Sequence, residues 1–245
     1  MTSLRIMTYN IQTGHGHDHA INLNRAASLI NDCKPDLVAL QEIDCKAERS
    51  SFDDQAAILA QLTNMNHFFA PATNRYGGDY GNAILSRFPI QSPTYHQLNQ
   101  VSDRESRNLA AITISPSPDT SIRLLATHLD HIPEDETDRI TQTHHIINII
   151  QQLEDTPTIL AGDFNAIPGS TPLQILSPYF DNPSLTHDNN PPTLTWPAQA
   201  PIMRLDYILT SKPHPWTCTK LQIIPDAIAS DHFPVIADLT LGNPD

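Results

Sequence analysis

Residues 4–11, Leu-Arg-Ile-Met-Thr-Tyr-Asn-Ile, alternate as a half-buried strand does, and residues 36–41, Asp-Leu-Val-Ala-Leu-Gln, form a short buried-type run. Between them, residues 22–30 have helical spacing, with Asn22 or Asn24 as the cap and Pro35 closing the helix. A second helix is predicted over 53–64, where Asp53 and Asp54 favour the positive helix start and Ala57, Leu59, Ala60 and Leu62 supply apolar contacts. The middle is strand-rich, at 82–86, 108–114 and 122–128, with Ser115-Pro116-Ser117-Pro118-Asp119 as a hairpin-like turn. A helix over 134–153, started by the acidic run Glu134-Asp135-Glu136-Thr137-Asp138, leads into a buried-type strand at 157–161. Further strands are predicted at 204–209, 220–224 and 233–240. Many strands with a few helices before and between them predict two sheets face to face with helices outside, a layered α+β or α/β fold.

Short polar motifs sit at the ends of these apolar runs: Tyr9-Asn10-Ile11, Gln41-Glu42-Ile43-Asp44, Tyr80-Gly81-Asn82, Thr127-His128-Leu129-Asp130, Gly162-Asp163-Phe164-Asn165 and Ser230-Asp231-His232. A hydrophobic strand has no structural need for Asp, Asn or His at its tip, so the set implies one site assembled from distant segments. The motifs run from residue 9 to residue 232, so any cut would divide them, and residues 1–245 are expected to form one domain.

The net charge of −13, from 14 basic and 27 acidic residues, has the wrong sign for a protein that neutralises a phosphate backbone, and long duplex DNA is a poor substrate. A small phosphorylated substrate is not excluded, because a divalent cation inverts the field around clustered carboxylates. The amino-terminal residues lack a basic segment followed by a long apolar stretch, and no apolar run approaches the roughly 20 residues of a membrane span. The expectation is a soluble, cytoplasmic protein. Cys33, Cys45 and Cys218 are odd in number and widely spaced, which fits reduced, structural thiols. No partner protein is readable.

Hard divalent cations take carboxylate, amide and water oxygens, which makes Glu42 at a strand tip a metal-ligand candidate beside Asn10. Taken alone, Glu42 reads as a solvated acid; the company of the other motifs changes that reading. Asp163 is placed to orient or deprotonate an attacking water and Asn165 to donate to a phosphoryl oxygen, although Asp and Asn also form turns. Asp206 paired with His232 is a candidate dyad, which leaves Asp231 free to ligate metal. His128 is placed as an acid for the leaving oxygen or a stabiliser of transition-state charge, Arg107 as a fork on phosphate oxygens, and Asn82 as a substrate contact. His15, His17 and His19 alternate in a glycine-containing loop that enforces no tetrahedron, and are read as solvated. His144 and His145 point in different directions on a helix.

In this order, Asn10, Gln41-Glu42, Thr127-His128-Leu129, Gly162-Asp163-Phe164-Asn165, Leu205-Asp206-Tyr207 and Ser230-Asp231-His232 resemble the endonuclease/exonuclease/phosphatase superfamily of DNase I-like phosphoesterases. Tyr80-Gly81-Asn82 and Thr127-His128-Leu129-Asp130-His131 look most like a bacterial subgroup of hydrolases within it. The resemblance implies a four-layer α/β/β/α sandwich of α+β class, with two mostly antiparallel sheets. It implies Glu42 as the main Mg²⁺ ligand (Mn²⁺ as the alternative), Asn10 nearby and Asp231 assisting. Asp163 and Asn165 then grip water and phosphate, Asp206 holds His232, and His128 lies across the phosphate. Gln12 stands where DNA-repair members carry an Asp, which speaks against an abasic-site nuclease.

The expected activity is metal-dependent hydrolysis of a phosphoester by in-line attack of water, on a small or lipid-derived phosphodiester or phosphomonoester. The alternatives are a nuclease for short or single-stranded nucleic acid, which needs a basic track, and a catalytically silent binding module, which would have lost some of Glu42, Asp163, His128 and His232. Loops at 71–80 and 181–202 are expected to shape the pocket.

Overall fold

Two six-stranded sheets lie face to face, and the two-residue period of their strands sorts side chains between a shared interior and outer faces under helices. The structure is a computed structural model that describes residues 1–187, 194–226 and 228–242. In chain order the elements are β1 (Thr2–Asn10), α1 (Leu23–Cys33), β2 (Leu37–Cys45), α2 (Gln55–Thr63), β3 (Asn66–Arg75), β4 (Gly78–Ser86), β5 (Gln91–Gln97), β6 (Asn108–Ser117) and β7 (Thr120–His128). There follow α3 (Thr137–Gln152), β8 (Thr158–Asp163), α4 (Thr171–Leu176), β9 (Phe180–Asp181), α5 (Ser184–His187), β10 (Asp206–Ser211), β11 (Trp216–Ile223) and β12 (Val235–Leu241). The first sheet has the order β11-β12-β1-β2-β4-β3 and the second β5-β6-β7-β8-β10-β9.

Each sheet holds one parallel pair, β1/β2 and β7/β8, and every other pairing is antiparallel. A parallel pair needs a crossover, and α1 and α3 supply it. α1 and α2 cover the outside of the first sheet around Met7, Tyr9, Val38 and Leu40; Ile146, Ile147 and Ile149 of α3 and Leu176 of α4 cover the second around Leu125 and Leu160. The result is the expected α/β/β/α sandwich.

The interior columns explain where chemistry collects. Leu4, Ile6, Thr8 and Asn10 lie on one face of β1; Leu37, Ala39 and Gln41 on one face of β2. In the second sheet the matching columns are Ile122, Leu124, Ala126 and His128, then Ile159, Ala161 and Asp163. β10 contributes Ile208 and Asp206. Each column starts in the apolar core between the sheets and turns polar at the same end of the sandwich. The tips predicted from sequence are thus continuations of core-facing positions, not departures from the strand pattern.

Helix ends follow their caps. The Asn22 side chain accepts from Asn24 N, and left-handed Lys34 ends α1 just before Pro35. Asp54, not Asp53, caps α2 by accepting from Ala57 N. α3 begins at Thr137, a few residues inside the expected 134–153, and the acidic run serves its start: Asp135 accepts from Thr137 N while pairing with Arg104, and Asp138 lies in the first turn. Buried Asp138 accepts from the backbone of Val101 and Ser102 and from the Ser102 hydroxyl, tying the 98–107 segment to the helix. The three cysteines are free, and among the described residues no helix is long and apolar enough to cross a membrane.

Gly162 precedes Asp163 because the neighbouring strand comes very close. A Cβ at Gly162 would lie 2.0 Å from the Thr127 carbonyl oxygen of β7. Gly162→Ala must therefore push β7 and β8 apart, and a loss of roughly 1–3 kcal/mol in urea unfolding is expected. An unchanged unfolding midpoint would show that this approach is not tight.

Candidate active site

At the polar end of the sandwich, the Asn10 amide joins the two sheets. Its Nδ2 donates to Glu42 Oε1 at 3.0 Å and to Asp163 Oδ2 at 3.1 Å, while its Oδ1 accepts from Gln12 N at 3.0 Å. Asn10 is fully buried. Glu42 comes from a bulge: β2 and β4 slip by one residue between Leu40 and Ile43, and Glu42 has a φ of 59°. The extra residue keeps Leu40 and Ile43 on the helix-covered face and turns Glu42 toward the site. Burial pushes the Glu42 carboxyl up, the Asn10 hydrogen bond opposes this, and Asp231 pushes it further.

Asp163 is the hub. Its Oδ1 accepts from Asn165 N at 2.9 Å, and its Oδ2 lies 3.6 Å from the Nε2 atoms of both His128 and His232. Burial raises Asp163 to about 7 against the opposing pull of His232. His232 Nδ1 is 2.9 Å from Asp206 Oδ2. Burial works against its charged form, but Asp206 and Asp163 outweigh it and raise His232 to about 10, so Nδ1 donates to Asp206 and Nε2 also carries hydrogen.

His128 is opposite in character. Burial, and then the positive charge of Arg107, hold it well below the ordinary imidazole value. Arg107 Nη1 lies 3.0 Å from His128 Nδ1, and since a guanidinium only donates, Nδ1 accepts and the hydrogen sits on Nε2. Two imidazoles thus present Nε2–H toward Asp163, one charged and one neutral.

Asp163, Asp206 and His232 also form the one grouping among the described residues whose ligand atoms could surround a metal ion. A protonated imidazole is no ligand, however, and the short Asp206 contact makes this triplet a hydrogen-bonded chain. Glu42 offers the better cation site, since its carboxylate is disfavoured by burial and by Asp231 and, among the described residues, has only the Asn10 amide as hydrogen-bond partner. That donor set, carboxylate oxygens without thiolate or neutral imidazole, fits a hard divalent cation. His15 meets Thr13, and Asp18 pairs with Arg25, so the histidine loop converges on no shared site.

These groups open into a cavity of about 660 Å³ that Glu42, Arg107, His128, Asp163, Asn165, Asp231 and His232 line. Asn165, at φ 47°, donates from Nδ2 to Leu129 O at 3.1 Å. Asp231 receives the Trp196 indole N–H at 3.4 Å, and Ser230 Oγ donates to Asn10 O at 2.7 Å, which docks this loop on β1. Asn82 is placed differently from expectation. It lies beneath the cavity among Tyr80, Arg107, Asn108 and His128, donating to Asn108 Oδ1 at 2.7 Å across the sheets. Asn82 joins the sheets there and does not face the cavity.

Sequence reasoning missed Asn108, Glu105, Arg49, Trp196 and Met203. Asn108 opens an apolar strand and obeys the tip rule; the loop residues carried no periodic signal. Of the two loops expected to shape the pocket, 71–80 is largely the β3–β4 hairpin, which supplies Arg75 and Tyr80, and 181–202 supplies Trp196. Its positions 188–193 lie outside the described residues.

The model of the Endonuclease/Exonuclease/phosphatase family matches residues 7–232. YbhP of Escherichia coli is 26% identical over 98% of this chain and 97% of its own length. A conserved protein from Enterococcus faecalis shares the fold at a TM-score of 0.81 and 22% identity, over 98% of this chain and 100% of that one. A mannosyl-6-phosphatase from Bacteroides thetaiotaomicron does so at 0.78 and 18% identity, over 97% and 99%.

The two imidazoles should be distinguishable by ¹⁵N NMR in the metal-free protein. Between pH 6 and 8, His232 is expected to carry hydrogen on both nitrogens and His128 on Nε2 alone; Asp206→Asn should move the His232 titration to lower pH. A His232 that titrates at an ordinary imidazole value despite Asp206 would contradict the charge arrangement. A second expectation concerns strain. Because Glu42 holds a left-handed backbone and a disfavoured carboxylate, Glu42→Gly should stabilise the protein in EDTA by about 1–2 kcal/mol. A lower urea midpoint would make Glu42 a structural residue.

Proposed function

Since this chain belongs to the endonuclease/exonuclease/phosphatase family, whose members are generally hydrolases of phosphoesters, we propose that it is a divalent-metal-dependent phosphoesterase acting on a small or lipid-derived phosphodiester or phosphomonoester. The observation that carries this reading is the Asn10 amide spanning Glu42 and Asp163, with both imidazole Nε2 atoms 3.6 Å from the same Asp163 oxygen. Bases, acids and a cation site converge there within reach of one phosphate.

In this reading Glu42, assisted by Asp231, holds Mg²⁺ or Mn²⁺, and Asn10 braces Glu42 through its amide nitrogen instead of serving as a ligand itself. When bound, the cation neutralises charge on the phosphoryl oxygens. Asp163, raised to about 7, has the basicity to take a proton from the attacking water near neutral pH. His232, charged and held by Asp206, donates from Nε2 to a phosphoryl oxygen and offsets the charge that develops there. His128, fixed as the Nε2–H tautomer by Arg107, donates a second hydrogen bond but has no proton to release at neutral pH. The remaining amide hydrogen of Asn165 supplies a third. Arg107 acts through His128, since its guanidinium is engaged by His128, His131 and Glu105.

Size and charge support a small substrate. A cavity of about 660 Å³ lies within the range of small-molecule sites, and a net charge of −13 opposes a long polyanion. A screen with phosphomonoesters, bis-p-nitrophenyl phosphate, phospholipids and a labelled oligonucleotide tests the proposal. Turnover is expected to stop in EDTA, to return with Mg²⁺ or Mn²⁺, and to fall about 10²–10⁴-fold in His232→Ala and Asp163→Asn. Turnover independent of metal, or retained in both variants, would remove the proposal; turnover confined to the oligonucleotide would convert it to a nuclease.

A further inference from the structure

Besides the catalytic residues, the cavity is lined by two chemically distinct sets of side chains. Four of the fourteen Lys and Arg residues of this acidic chain, Arg49, Arg75, Arg107 and Arg139, line it, and no lysine does. They outnumber the carboxylates Asp44, Glu105 and Glu136. The lining also includes the apolar Ile167, Trp196, Met203 and Leu205, with Trp196 beside Asp231 and His232 and bridged to Met203.

Two of these arginines are already committed. Arg107 holds His128, His131 and Glu105, and Arg139 donates from Nη1 to the carbonyls of Asp130 and Ile132 at 3.1 and 2.6 Å. Arg49 and Arg75 each have one carboxylate partner and, among the described residues, donors left over. Asp44 takes Nε and Nη2 of Arg49 at 2.8 and 2.7 Å, and the rings of Tyr76 and Tyr80 lie 4.7 and 5.3 Å from its guanidinium carbon. A guanidinium braced on one edge by a carboxylate and against two aromatic rings is held in place, with Nη1 left to donate. Arg75, 47% exposed, pairs with Glu105, and that single carboxylate also serves Arg107. One acid shared by two arginines leaves positive charge over on this wall.

We propose that the substrate carries a second phosphate besides the ester that is cleaved, that Arg49 and Arg75 bind it, and that Trp196 and Met203 face an apolar or aromatic body between the two. The inference rests on the phosphoesterase reading for its substrate class, but the anion subsite exists independently of turnover. It also accounts for a strongly acidic protein placing so many of its arginines around one cavity. Fixed guanidinium forks suit phosphate oxygens, where a mobile ammonium would act only as a point charge.

Two measurements test it. Inorganic phosphate, titrated calorimetrically into the protein in EDTA, is expected to bind, and Arg49→Met with Arg75→Met should weaken that binding at least about tenfold. Arg25→Met, which breaks a surface pair with Asp18, serves as control and should leave it unmoved. With Mg²⁺ present, kcat/KM for 1,4-phenylene bisphosphate should exceed that for phenyl phosphate by at least about tenfold, chiefly through KM, and the double variant should lose this ratio. Arg75→Met alone, at a half-exposed side chain, carries the same reading if the double variant melts early. Phosphate affinity indifferent to both arginines overturns the proposal, as does a wild-type ratio near two, the statistical value. Loss of phosphate binding in the variants without any ester cleavage by the wild type would instead retain the subsite and remove the phosphoesterase reading.

Discussion

One amide holds the site together. Asn10 Nδ2 donates to carboxylates from both sheets, Glu42 at 3.0 Å and Asp163 at 3.1 Å, and its own Oδ1 is fixed by Gln12 N. Like charges at that distance would otherwise repel in a poorly solvated pocket, and a neutral donor between them is the least costly bridge. The rest follows from where the sheets place their strand ends. Both parallel pairs, β1/β2 and β7/β8, point their carboxyl ends to the same edge, where crossover connections leave room for polar groups. Asn82 and Asn108 make the second polar seam there, with Asn108 Nδ2 also donating to Ala70 O at 2.7 Å.

The same edge carries backbone strain. Gln12, Thr13, Glu42 and Asn165 all have positive φ without being glycine. Such conformations cost about 1–2 kcal/mol each and persist only where surrounding contacts over-determine them. Here those contacts are visible: Gln12 N on Asn10, the β2 bulge around Glu42, and Asn165 N on Asp163. The dry, regular core between the sheets supports these departures, which fits the pattern of stability surrendered locally at sites that must aim polar groups.

Much of this was legible in sequence because the site residues lie on strands. Asn10, His128, Asp163 and Asp206 extend core-facing columns, so a period of two that ends in a polar residue marks them. Helices α1 and α2 were legible from their caps. What escaped has equally physical reasons. β5 is an exposed edge strand with no buried face to impose alternation, and β3 is an edge strand interrupted by Pro71. The acidic run opens α3 as expected, but its ties to Arg104, Ser102 and Val101, more than thirty residues away in sequence, carry no local signal. Arg49 and Trp196 come from loops, where only tertiary contacts give direction.

The electrostatics of the cavity then run from one sign to the other. Around Asp163, the carboxylates Glu42, Asp163, Asp206 and Asp231 outnumber the charged His232, which suits the cation of the proposed function; around Glu105, arginines exceed their acid, which suits the anion proposed above. His128 stands at the boundary, neutral because burial and Arg107 together exclude a proton from it. A protein with a net charge of −13 repels polyanions at long range, yet within a Debye length of roughly 10 Å these local charges dominate. Under the proposed function, discrimination would operate twice, first against long nucleic acids at the surface and then in favour of compact phosphorylated molecules inside the cavity.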